Sequence, residues 1–161
     1  LSFEHYMVHD GGMYMASYYS TVTAASSDQF WIFTGAKDTH VQIGVDASGQ
    51  ALVQMYEGAT GTGAFGAGMT VTCFNMYRNS ANSCLAVCWH SNPHSIAATT
   101  RLLYTDLILG GNKVNTMIGA SARRETELVL KPSTRYLVQV TNEAAATITT
   151  AVNIQFYELE I

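Results

Sequence analysis

Between Glu125 and Glu158 apolar and polar positions alternate with a period of two. In 147–158, Ile148, Thr150, Val152, Ile154 and Phe156 share one face, and Thr147, Thr149, Asn153, Gln155 and Tyr157 share the other. Successive strand side chains point to opposite faces, so the pattern predicts a half-buried strand. Residues 135–142 repeat it, with Tyr136, Val138 and Val140 set against Leu137, Gln139 and Thr141. Just before them, Thr126, Leu128 and Leu130 alternate with Glu125, Glu127 and Val129. Lys131-Pro132-Ser133-Thr134 reads as a turn, because Pro132 fixes φ and offers no ladder donor.

Upstream, further short strands are expected at 5–9, 13–21, 29–33, 41–46, 51–57, 70–75, 85–90 and 101–109. Turn signals such as Asp10-Gly11-Gly12, Asp46-Ala47-Ser48-Gly49 and Gly110-Gly111-Asn112 separate them. No stretch sustains a 3.6-residue period, and Ala144–Ala146 is too short for an independent helix. Many short strands with regular turns predict an all-β chain: a single-domain antiparallel β-sandwich over residues 1–161, jelly-roll-like in its path. Three longer connections, 58–68, 75–83 and 112–124, are the expected places for binding.

Composition changes the picture in one respect. Of the 161 residues, 12% are charged and 48% are hydrophobic. The charged share is about half that of an ordinary soluble domain. Between Ala47 and Thr100 the only formal charges are Glu57 and Arg78. Thr, Ser and Asn can solvate such a stretch, but depletion of charge is also a mark of interface cores, and contact with sister subunits is the favoured reading. Phe65, Tyr77, Arg78 and Trp89 are the subunit-contact or loop candidates. A net charge of −4 without a basic stripe removes the electrostatic driver for nucleic-acid binding. No run of about 18 apolar residues is present to span a membrane.

The N-terminal residues 1–26 read as an extended contact segment. If 13–21 is a strand, Tyr14 and Tyr18 face one way and Met13, Met15 and Tyr19 the other, so both faces are apolar. Either the strand is buried inside a stack or it lies on a partner; Tyr and Met enrichment at interfaces favours the partner. Phe3, Tyr6, Met13, Tyr14, Met15, Tyr18 and Tyr19 are the candidates for that contact. On this reading, removal of residues 1–19 abolishes binding and leaves a folded body.

Chemistry-bearing motifs are weak. Gly61-Thr62-Gly63-Ala64-Phe65-Gly66 has the spacing of a phosphate loop, but a strand rather than a helix is expected after it. His90 and His94 are four apart, with Pro93 forbidding the helix that would align them. Only Cys88 lies near, so metal is not expected. His5, His9 and Asp10 form a similarly weak cluster. Glu57, Glu125 and Glu127 read as solvated strand ends rather than an acid–base pair. No G-x-S-x-G elbow occurs. Neither an enzyme nor a cofactor is expected. Cys84 and Cys88, placed on one strand, would lie about 13 Å apart, too far to bridge. Cys73 can pair with one of them, but three free, mostly buried thiols are favoured, as in a reducing cytoplasm.

Several segments together resemble a group of small virion proteins of tailed bacteriophages. They are Tyr56-Glu57-Gly58-Ala59-Thr60, Tyr77-Arg78-Asn79-Ser80, the run from Glu127 to Asn142, and Phe156-Tyr157-Glu158. The match spans roughly residues 50–158 and leaves the N-terminal third uncovered. Ser133 stands where the group usually has Asn, and Phe156 where it usually has Trp. The resemblance implies a β-sandwich capsid decoration or cement protein on the virion surface, assembled in the host cytoplasm. It would be a homo-oligomer, expected as a trimer, bound to the major capsid protein. The alternative is the receptor- or glycan-binding head of a phage fibre, using Phe65, Tyr77 and Trp89.

Overall fold

The alternating segments become paired strands in the computed structural model, which describes residues 2–60, 65–91, 95–97, 100–109, 120–123 and 127–159. In chain order these form α1 (Phe3–His9), β1 (Met13–Val22), β2 (Ser27–Phe33), β3 (Asp38–Ala47) and β4 (Ala51–Glu57). A 3-10 turn (Ala67–Met69) leads into β5 (Thr70–Val71), β6 (Phe74–Asn75), β7 (Val87–Ser91) and β8 (Arg101–Ile108). The chain closes with β9 (Ala120–Arg123), β10 (Leu128–Leu130), β11 (Arg135–Asn142) and β12 (Ile148–Leu159). No described helix is long and apolar enough to cross a membrane.

Two sheets pack face to face. The first runs β10-β3-β12-β1-β6, with β9 also paired to β3; the second runs β5-β7-β2-β11-β4-β8. Their pairings are antiparallel. Set aside the short β5, β6, β7 and β9, and β1-β12-β3-β10 faces β2-β11-β4-β8. The chain then crosses from sheet to sheet at each step except β4 to β8, which are neighbours. That path is a jelly roll. The expected all-β sandwich is therefore the fold, and its defining contacts are long-range: Met13 to Val22 pair with Tyr157 to Ile148.

The core lies between the sheets and uses the faces the alternation marked. Ile148, Thr150, Val152, Ile154 and Phe156 are buried from β12, and Tyr136, Val138 and Val140 from β11. They meet Val41, Ile43 and Val45 of β3, Phe30 and Ile32 of β2, and Val53 and Met55 of β4. Each such side chain taken fully out of water contributes about 1.5–3 kcal/mol.

Four expectations need correction. Residues 5–9 are not a strand. The Ser2 hydroxyl accepts from His5 N–H at 3.3 Å and caps α1, Glu4 lies in its first turn, and Gly11 at φ 73° ends it. A helix this short is held by docking, not by its own propensity. Met7 packs with Met13 and Tyr157, and Phe3 stands edge-on to Tyr157 at 5.4 Å between centroids.

The 1–26 segment is likewise not an extended arm. Beyond α1 it becomes β1, which pairs with β12 along its whole length and with β6 at Tyr14 and Met15. Met13 and Tyr14 are buried within the chain. Removing residues 1–19 would take out most of a sheet strand, so the body is not expected to survive that deletion.

The 85–90 strand starts only at Val87, and Cys84 lies in the preceding loop. The spacing argument for Cys84 and Cys88 therefore fails. Cys73 Sγ sits 3.5 Å from Cys88 Sγ, and all three cysteines are free thiols.

Finally, Phe65 and Trp89 are half-buried against the outer face of the second sheet and not fully exposed. The outer face of the second sheet carries Trp31 and Leu137, both at 0% exposure, beneath the segment after β4. Phe65 lies 5.3 Å from Trp31, 5.2 Å from Phe33 and 5.5 Å from Trp89 between ring centroids. The charge-poor middle of the chain is thus partly explained by packing against its own sheet. Residues 61–64 of the glycine motif, His94, Glu125 and most of the 112–124 connection lie outside the described residues.

Candidate functional site

The ionisable side chains at the ends of β4, β11 and β12 are engaged with the fold itself. Glu57, at the end of β4, accepts from Lys131 Nζ at 2.8 Å and from the Tyr136 hydroxyl at 3.1 Å. The Lys131 hydrogen bond holds its carboxyl below the usual range, against an opposing push from burial. Gly58, at φ 67°, turns the chain out of the sheet, and the N–H groups of Gly58 and Ala59 both donate to the Arg135 carbonyl. Asn142, 1% exposed, donates to the Val22 and Ala146 carbonyls at 2.8 Å each and accepts from Ala144 N–H at 2.7 Å.

Glu127 makes the one cluster with a catalytic look. Its carboxylate lies 2.6 Å from His40 Nδ1 and accepts from the Tyr157 hydroxyl at 2.9 and 2.8 Å. Burial, then the adjacent carboxylate, pushes Tyr157 up to about 12. The imidazole stacks on Tyr157 at 4.6 Å, and its Nε2 is buried without a partner among the described residues. A general base must reach a substrate proton, and an atom sealed in this way reaches none. The cluster ties β3, β12 and the approach to β10 together. His40 carried no signal in the sequence, because its partner is 87 positions away.

Two of the three thiols, Cys73 and Cys84, are pushed toward the protonated form. Cys84 is held well above its usual range by the Cys73 hydrogen bond and by burial. At Cys73 the downward pull of Cys84 is outweighed by Cys88 and burial, and its thiol is pushed up to about 12. Thiols are inert while protonated. Among the described residues no group of three or more His, Cys, Asp and Glu side chains is arranged to hold a metal ion.

What remains is surface. Of the N-terminal contact candidates, Phe3, Tyr6, Met15 and Tyr19 are exposed, Tyr19 by 74%. Met13 and Tyr14 are buried, and Tyr18 is half-buried, stacked on His90 at 3.9 Å between centroids. Phe3 and Tyr6 belong to α1, docked on the outer side of the first sheet; Met15 and Tyr19 continue along that side from β1. Tyr77 and Arg78 are exposed in the loop after β6, with the Arg78 guanidinium 5.1 Å from the Phe74 ring centroid.

A second surface escaped the sequence reading. On β8, which forms an edge of the second sheet, Leu102, Leu103 and Leu107 are exposed, and Leu109 just beyond it is 68% exposed. Across the gap to the first sheet, Val129 of β10 is also exposed, and Leu103, Leu128 and Val129 line a groove of about 330 Å³. The signal was present: leucines at 102, 103, 107 and 109 put apolar groups on both faces of one strand. An edge strand with an uncovered apolar flank is normally avoided by a free monomer.

Neither a protein-family model nor a curated protein matches this chain.

Proposed function

We propose that this chain is a structural protein of a bacteriophage particle: a decoration or cement protein that self-associates, as a trimer, and binds the major capsid protein of the assembled head. The observation that supports it most is the leucine-rich flank of β8 and β10 on a stiff jelly roll whose motif carboxylates are engaged internally. Uncharged apolar strips mark protein contacts. A second strip, from Phe3 and Tyr6 to Met15 and Tyr19, gives the chain two separate places to touch. We assign the leucine flank to sister subunits and the α1–β1 strip to the shell. A protein that binds the assembled shell but not its loose parts stabilises the shell by mass action.

The test is to add purified protein to heads lacking it, and to unassembled capsid subunits, and to locate bound copies by electron cryomicroscopy. Many copies at symmetric positions on heads alone are expected. Absence from the shell, or a few copies at the tail only, would overturn the reading and favour a fibre head.

A further inference from the structure

The first sheet has a bare edge. β1 is covered on one side by β12 along Met13–Val22, but on its other side β6 reaches only Tyr14 and Met15. From Ala16 to Val22 no described strand pairs with that edge. The two sheets part there, and a long groove runs between β1 and the β5–β7 margin of the second sheet. Its first half, bounded by Ser17, Thr70, Thr72, Phe74 and Gln155, encloses about 500 Å³. Its second half, bounded by Tyr19, Thr21, Thr23, Ser27 and Asp28, encloses about 710 Å³. Tyr18 and His90 line both halves, and their rings stack at 11°.

The lining selects its ligand. Serine and threonine hydroxyls and the amides of Asn153 and Gln155 share it with apolar Met15, Val71, Phe74, Ile154 and Met69. Among the described residues no Lys or Arg lines either half, so none offers a counter-charge to a phosphate, sulfate or carboxylate group. Asp28 is the one Asp or Glu among the described lining residues, and its carboxylate is already occupied by the Ser20 hydroxyl. His90 lies flat against Tyr18. A lipid chain would leave the Ser17, Asn153 and Gln155 polar groups covered and unpaired. Tyr18 and His90 join the two halves, so one extended ligand can touch both. A neutral, hydroxyl-rich ligand with a flat C–H face satisfies the lining: the hydroxyls and amides exchange hydrogen bonds with it, and the exposed Tyr19 ring covers its apolar face.

We propose that the groove between β1 and the β5–β7 margin binds a neutral oligosaccharide, with Tyr19 as the stacking platform and Ser17, Asn153 and Gln155 as hydrogen-bonding partners. The site is separate from the leucine flank but shares Tyr19 and Met15 with the strip assigned to the shell, so glycan binding is measured on the purified chain without heads.

The experiment is an array of neutral and acidic glycans probed with the wild-type chain, followed by calorimetric titration of any neutral oligosaccharide retained. Tyr19→Ala and Asn153→Ala are compared with Tyr77→Ala, which lies outside the groove. All three side chains are exposed, so folding is not at stake; circular dichroism confirms it. Binding of a neutral oligosaccharide, weakened about tenfold or more by Tyr19→Ala (the loss of about 1.4 kcal/mol) and untouched by Tyr77→Ala, supports the proposal. Three outcomes overturn it: no neutral glycan bound at millimolar concentration, salt-sensitive binding of acidic glycans alone, or a Tyr19→Ala variant that binds like wild type. If Tyr19→Ala instead lowers self-association while no glycan binds, the groove holds a second copy of the chain and the saccharide assignment falls.

Discussion

Glu158 on β12 accepts from the Ala86 N–H at 2.7 Å and from the Leu85 N–H at 3.0 and 2.9 Å through its two oxygens. A single carboxylate of the first sheet thereby fixes the loop that leads into β7 of the second. Hydrogen bonds to a charged group are worth about 1.5–3 kcal/mol each, less where water competes. Glu158→Ala should lower unfolding free energy by about 2 kcal/mol in urea titrations, with Glu158→Gln intermediate. A Glu158→Ala variant with wild-type stability would show the loop to be held by something else.

Glu57 makes acid stability depend on Lys131. Its carboxyl lies below the ordinary 4.5 in the folded chain, chiefly through the Lys131 hydrogen bond. A depressed folded value means that the stabilisation is fully present above the unfolded value and fades as pH falls through the folded one. Below about pH 4.5 the wild type should therefore lose melting temperature more steeply than Lys131→Met, which has less of this contribution to lose. Parallel pH profiles for the two proteins would refute the assignment.

Ser133 carries a left-handed backbone, at φ 49°, in the turn before β11. A residue with a Cβ pays roughly 1–2 kcal/mol there, while Gly pays little and Asn is better tolerated. Ser133→Gly and Ser133→Asn should each stabilise the fold by about 0.5–1 kcal/mol. Thermal melts of the two variants give the check, and a fall in melting temperature for both counts against the strained turn.

The N-terminal segment divides into two parts with different consequences. Removing residues 1–10 takes α1 from its seat on Met13 and Tyr157 and should leave a folded but less stable sandwich. Removing residues 1–19 takes most of β1 and should leave no cooperative unfolding transition. Proton–nitrogen correlation spectra distinguish the two, and a dispersed spectrum for the longer deletion would contradict the pairing of β1 with β12.

The leucine flank gives the test of self-association. Leu107→Glu and Leu102→Glu place charge on exposed positions, so each should fold normally and shift the sedimenting species toward monomer by an order of magnitude or more in dissociation constant. Unchanged sedimentation for both would remove β8 as the subunit contact.

The legible parts of this fold were those whose signal is local. Period-two alternation in 135–142 and 147–158 marked β11 and β12 correctly, because one face of each meets the core. The jelly-roll path was readable as a class and not as an order, since it rests on pairs such as Met13 with Tyr157 that no local pattern encodes. α1 was missed because its seven residues depend on the pocket that receives Met7 and Phe3. Trp31 and Leu137 alternate as if exposed, yet the segment carrying Phe65 covers them, so Phe65 and Trp89 read falsely as surface. The groove beside β1 was invisible for the same reason: it is a gap between strands distant in sequence. Tyr18 and Tyr19 were noticed, but nothing local tells that one would stack on His90 and the other stand free.

Phe3 and Leu159 meet around the same side chains, Tyr157, Met7 and Met13. The two ends of the folded body therefore leave from one pole. A few glycines would suffice to join residue 159 to residue 2, and a cyclically permuted chain opened in the exposed turn after β1, at 23–25, would keep every strand partner. A cargo domain fused at either end would emerge beside α1, on the strip assigned to the shell, so a bulky fusion there should weaken shell binding while leaving the leucines of β8 free.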